Sequence, residues 1–178
     1  VPKKLAELEG KRPVARAERL RQDARLRRIV GKKPEPLINL HNIWTNETLV
    51  LEAKAPTVDQ ETLDQFLRCH FTNQPAHMDP RLLGVLAGAA RRFGAARIDV
   101  VSGFRAPKFN LMLRKKGHEV ARDSQHTYGH AVDFRVPGVA TRRLLEYVRS
   151  LHVGGAGYYP ESEFVHADTG PIRYWAGR

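Results

Sequence analysis

The sequence predicts an α+β fold, a small and mainly antiparallel sheet packed against helices. Three observations lead there. The chain has 178 residues, 42% of them hydrophobic and 8% aromatic, enough to bury the core of one domain. Two short β-like runs near residue 40 are joined by turn residues, as a hairpin requires. Helical stretches with recognisable start signals then give way to three short strand-like runs toward the C-terminus.

The elements follow in chain order. Leu37–His41 and Thr48–Ala53 form the hairpin, with Asn46 of Thr45-Asn46-Glu47 as the turn residue. Helices are predicted over Asp59–Arg68 and Asp79–Phe93, the second opened by Asp79-Pro80. Arg97–Ser102 is a β-run through Ile98, Val100 and Val101, ended by Gly103. Pro107 begins a helix to Lys116, and Thr141 caps another to Leu151. Gly129–Val136, Gly155–Tyr159 and Phe164–Asp168 are short and strand-like. Tyr158, Tyr159, Tyr174 and Trp175 could line a substrate cleft but are left out of the site, since aromatics on short strands more often pack the core.

Charge divides the chain in two. Residues 1–36 hold 12 Lys/Arg and 5 Asp/Glu, a net of +7 out of +11 overall. Pro34 and Pro36 punctuate the end of this stretch, so the reading is a basic, partly helical arm over 1–36 and a domain over 37–178. The arm has no Phe, Tyr or Trp for base stacking and no nucleic-acid motif, so no nucleic-acid partner is expected. No apolar run reaches the roughly 18 residues of a membrane span. Cys69, the lone cysteine, excludes a disulfide within the chain and is read as a buried, inert thiol. The numbering opens at Val1 with no initiator Met, which leaves room for an export signal ahead of it.

Candidate chemistry lies in the C-terminal half. His126 and Asp133 stand seven positions apart around Gly129, whose bare backbone permits a close approach that folds the imidazole back beside the carboxylate. His166, in Glu163-Phe-Val-His166-Ala-Asp168, is the third group. Imidazole nitrogen and carboxylate oxygen both bind zinc, and three protein ligands leave the fourth position open, as in catalytic sites. The spacing is equally compatible with hydrogen-bonded core histidines. His130 is read as a cleft-wall residue, and His41, His70, His77, His118 and His152 lack partners at ligand spacing.

Four motifs in order decide between these readings. Ser102-Gly-Phe-Arg105, Ser124-x-His126-x-x-Gly129-x-Ala131-x-Asp133, Gly154-Gly-Ala-Gly-Tyr-Tyr-Pro160 and Phe164-Val-His166-x-Asp168-Thr-Gly resemble the murein endopeptidase branch of the D-Ala-D-Ala carboxypeptidase-like zinc peptidases. The resemblance runs from about Leu37 to Trp175; the arm has no counterpart in it.

It implies a sheet carrying one Zn2+ per chain on His126, Asp133 and His166, and hydrolysis of peptide bonds in peptidoglycan stems or cross-links. Arg105 falls where the family places an arginine that stabilises the oxyanion. A carboxylate three residues before the last histidine is the expected general base, here Glu163, where related sequences usually carry Asp or Asn; Asp168 is the second candidate, or else a support for His166. The expected protein is a monomeric periplasmic or cell-envelope enzyme. The alternative is a non-catalytic zinc-bearing module that binds cell wall or protein, which would have no chemical need of Arg105 and Glu163.

Overall fold

The computed structural model describes Glu18, Arg21 and residues 36–117 and 120–177. The predicted arm, apart from Glu18, Arg21 and Pro36, lies outside the described residues, as does His118.

Strand β1 (Leu37–Asn42) pairs antiparallel with β2 (Thr48–Glu52), the predicted hairpin. Its turn is built by two asparagines. The Asn42 carboxamide oxygen accepts from the Trp44 and Thr45 amides at 3.0 and 3.2 Å, and Asn46 takes the left-handed conformation at φ 57° that asparagine tolerates.

Helix α1 (Gln60–Phe66) is capped by the Asp59 carboxylate, which accepts from the Thr62 amide at 2.7 Å. Helix α2 (Arg81–Phe93) buries Leu82, Leu86 and Ala89 on one face and ends at Gly94 in the left-handed conformation. Pro80 is its cap residue, and the Asp79 side chain just before it accepts from the Arg81 amide at 2.9 Å. Strand β3 (Arg97–Ser102) and helix α3 (Pro107–Lys115) follow, with Pro107 at the first helical position, where its missing N–H costs nothing. A single 3₁₀ turn, Gln125–Tyr128, precedes β4 (Ala131–Arg135). Helix α4 (Thr141–Leu151) starts one residue earlier in capping terms than predicted: Ala140 is the cap and Thr141 is already helical, with no side-chain cap bond. Strands β5 (Gly155–Tyr159) and β6 (Phe164–Asp168) coincide with the predicted runs.

A further strand, β7 (Arg173–Ala176), is absent from the sequence reading. Its four residues carry no alternation of apolar and polar side chains, and it forms by pairing with β5. The sheet is therefore larger than predicted, seven strands in the order β2-β1-β3-β4-β6-β5-β7. It is mostly antiparallel, with β1 to β3 and β5 to β7 running parallel.

The core lies on one face of this sheet. Ile38, Leu40, Ile98, Val100, Val132, Phe134, Val165 and Ala167 cluster with Leu82 and Leu86 of α2 and Leu144 and Val148 of α4. Each large side chain so buried contributes about 1.5–3 kcal/mol. Because side chains alternate along a strand, Asp133 and His166, interleaved between these apolar residues, are turned to the other face. They are also cross-strand partners, Asp133 opposite His166 in the β4–β6 register. Cys69 is fully buried against Ala106 and Phe109.

Candidate metal centre and cleft

His126 reaches the sheet through backbone geometry. The 3₁₀ turn that carries it ends at Gly129, at φ 73°, where a Cβ would stand 2.0 Å from the His77 carbonyl oxygen. Only glycine fits there. Its own carbonyl accepts from the Asp79 amide at 2.9 Å, which seats the turn against the start of α2.

The Ser102-Gly-Phe-Arg105 motif holds the same histidine from the other side. Gly103 packs its backbone so closely on Leu67 that a Cβ would lie 2.4 Å from the Leu67 carbonyl. In this position the Gly103 carbonyl accepts from His126 Nδ1 at 2.7 Å, while the Arg105 amide donates to the His126 carbonyl at 3.0 Å. The pairing of β3 with β4 shifts register between Val100 and Ser102, an irregularity of the kind that re-aims backbone beside active sites.

Three groups meet in consequence. His126 Nε2 lies 3.1 Å from Asp133 Oδ1 and 3.1 Å from His166 Nδ1, and His166 Nδ1 lies 2.8 Å from Asp133 Oδ1. All three side chains are buried. A carbonyl oxygen can only accept, so His126 Nδ1 bears its proton and Nε2 presents a lone pair to the centre. By the same logic His166 Nε2 donates to Asp168 Oδ2 at 2.9 Å and turns Nδ1 inward. Two nitrogen lone pairs and a carboxylate thus converge, a donor set that could hold one metal ion. Burial pushes the His126 pKa down, toward the neutral ligand form. Burial would raise Asp133, but the two histidines beside it hold it well below the usual carboxylate range. Burial likewise opposes charge on His166, while its bonds to Asp133 and Asp168 raise its pKa. The donor set suits zinc, two imidazole nitrogens and one carboxylate oxygen with their outer atoms anchored.

Asp168 is fully buried and has four partners. It accepts from His166, from Arg173 at 2.7 Å, and from the Gly155 and Gly170 amides at 2.9 Å each. Burial would raise its pKa; the His166 ring and these backbone donors hold it well below the usual range. Its carboxylate stands behind His166 and does not line the cleft.

The cleft over the centre has a volume of about 780 Å³. Arg105 lines it, its Nη2 3.5 Å from Asp133 Oδ2, its Nη1 3.5 Å from Asn110 Oδ1, and its Nε buried without a partner. Tyr159, Tyr174 and Trp175 line it too, none of them buried, so of the two readings of these aromatics the cleft lining holds for these three and leaving them out of the site does not. The missed signal was Gly155-Ala-Gly157: glycines two apart strip one strand face bare. Trp175 fills that space, 2.7 Å from where a Gly157 Cβ would be, with its ring centre 5.0 Å from that of His166. Glu163 ends the β5–β6 turn, exposed and at φ 54°, between Ser162 and Phe164, which both line the cleft while Glu163 does not. His130 is exposed and faces Gln125.

Known proteins are similar to this chain in sequence. A family model described as peptidoglycan L,D-endopeptidase MepK matches residues 32–175. The chain belongs to the MepK family. It is 37% identical over 152 residues to the probable peptidoglycan L,D-endopeptidase MepK of Haemophilus influenzae, covering 81% of each chain. It is 34% identical over 148 residues to the peptidoglycan L,D-endopeptidase MepK of Escherichia coli K12, covering 80% of this chain and 81% of that one. No solved structure matches the chain. The MepK family match takes in His126, Asp133, His166, Arg105, Glu163 and Asp168.

Proposed function

We propose that this chain is a zinc-dependent endopeptidase that hydrolyses a peptide bond joining an L-centre to a D-centre in peptidoglycan. Membership of the MepK family makes it a peptidase acting on peptidoglycan. The L,D preference comes from the names of its relatives. The observation that carries the metal is the convergence of His126 Nε2, Asp133 Oδ1 and His166 Nδ1 within 3.1 Å of one another.

Zinc held by these three residues would supply Lewis-acid polarisation and a water of lowered pKa. The chain's own groups do the rest. Arg105 carries a permanent charge into the cleft and donates to the oxygen that turns negative as water adds to the scissile carbonyl. Glu163 takes the proton of the attacking water and returns it to the leaving amine, so the C–N bond opens to a carboxylate and an amine. It stands at the rim between two cleft residues, one methylene longer than the aspartate usual in related sequences. Asp168, with no exposure and four partners, orients His166. The aromatic wall of Tyr159 and Trp175 takes the substrate's apolar parts.

The reading includes a catalytic domain over 37–178 behind a basic arm, one zinc ion per chain, and action as a monomer in the periplasm or elsewhere in the cell envelope, where peptidoglycan lies. No helix among the described residues is long and apolar enough to cross a membrane. The deciding experiment incubates zinc-loaded protein with purified peptidoglycan and identifies the fragments by mass. New amines with matching carboxylates are expected. Zinc binding with no cleavage across a wide panel of cross-linked and stem peptides would leave a binding module instead.

A further inference from the structure

Beside the catalytic cleft lies a second pocket of about 330 Å³, lined among others by Asn110, Arg114, Arg122, Asp123 and Thr127. Asp123 lines both spaces, so they adjoin. We propose that this pocket binds a free carboxylate of the substrate's stem peptide through Arg114 and Arg122 and thereby positions the scissile bond at the metal centre. The inference rests on the peptidoglycan-peptide reading above.

Charge is the first argument. Arg114 and Arg122 are exposed, and neither is ion-paired among the described residues. Two arginines lining one small space are matched by a carboxylate, which arginine holds through paired, charge-assisted hydrogen bonds. Among the described residues Asp123 is the one anion at the junction, and its Oδ1 accepts from the Tyr128 hydroxyl at 2.6 Å. One carboxylate against two arginines leaves the pocket positive. Stem peptides carry free carboxylates on their acidic and diamino acid residues and at their ends, so the polymer lying in the cleft brings the complementary group with it.

Construction is the second argument. Asn110 of α3 is buried, and its Nδ2 donates to the Ala121 and Arg122 carbonyls at 3.1 and 3.5 Å, fixing the chain that presents Arg122. The Oδ1 of the same side chain is the contact of Arg105 Nη1. One buried carboxamide therefore braces both the pocket wall and the proposed oxyanion donor, and a carboxylate seated on Arg114 and Arg122 is held at a set offset from Arg105.

The test compares a soluble cross-linked stem peptide with its carboxyl-amidated counterpart, on zinc-loaded wild type, on the Arg114→Gln/Arg122→Gln double variant and on the Arg114→Lys/Arg122→Lys variant. Amidation should raise the wild-type KM about 10-fold or more, as loss of a charge-assisted pair implies, with kcat little changed. The glutamine variant should treat acid and amide alike, and the lysine variant should keep part of the preference. Equal KM for acid and amide in the wild type, or an undiminished preference in the glutamine variant, overturns the proposal. Should the wild type cleave neither peptide, the endopeptidase reading fails. Calorimetric binding of the same two peptides then decides the pocket separately, with tighter binding of the acid supporting it and equal binding overturning it.

Discussion

His166 gives its Nε2 proton to Asp168 at 2.9 Å, and this single contact decides which nitrogen of the ring faces His126 and Asp133. Arg173 clamps the same carboxylate from the edge strand, so the orientation of the His166 ring is supported by a residue seven positions further along the chain.

That relationship makes Asp168 and Arg173 testable without any assay of catalysis. Asp168→Asn should weaken zinc affinity about 10- to 100-fold in a chelator competition, since loss of an outer partner of a ligand histidine has that size of effect. Arg173→Ala should weaken it less, because Asp168 keeps two backbone amides. Unchanged affinity in Asp168→Asn would show that His166 is held by other means.

Metal content should follow the ligand set. Zinc-loaded wild type should hold about one ion per chain. Each of His126→Ala, Asp133→Ala and His166→Ala should lose both the ion and activity. Three variants with wild-type zinc by elemental analysis would sink the assignment.

Arg105→Ala and Glu163→Gln should bind zinc normally and cleave slowly, by about 10²- to 10³-fold and 10²- to 10⁴-fold respectively. Glu163 carries a second signature, its φ of 54°, a conformation that costs an ordinary side chain about 1–2 kcal/mol and that asparagine tolerates better. Glu163→Asn should therefore gain about 0.5–1 kcal/mol in denaturant unfolding while losing activity. Full activity in Glu163→Gln together with an inactive, zinc-replete Asp168→Asn would move the base to Asp168.

Gly129→Ala should be among the costliest changes, on the order of 3 kcal/mol or more, because it combines a positive φ with a collision against backbone. Equilibrium unfolding reads the cost, and a loss under about 1 kcal/mol would refute the close packing on His77.

Asp79 links the start of α2 to the loop after β6, accepting from Arg81 and from the Thr169 hydroxyl. Burial would raise its pKa, but these bonds lower it from 3.8 to about 2. A depressed folded-state value stabilises the protein above the unfolded value and is lost as pH falls through the folded one. The contribution of Asp79 should be whole above about pH 5 and fade between about pH 4 and 2. Asp79→Asn should flatten that part of the stability profile; an unaltered acid limb would contradict the assignment.

The residues themselves determined the local elements and pointed to the candidate ligand set. Turn residues marked the hairpin, short strand-like runs marked β5 and β6, Pro107 opened its helix, and the motifs around His126, Asp133 and His166 pointed to one centre. These signals are short-range, so they survive in one dimension. Only the tertiary structure decided what depends on pairing between distant segments. Strand β7 exists because β5 offers an edge, and it alone brings Arg173 behind Asp168 and Trp175 over Gly157. Glu163 and Asp168, equivalent carboxylates three residues before and two after His166, part company by strand direction and burial. One ends exposed at a turn beside the cleft; the other is sealed behind the ligand it orients.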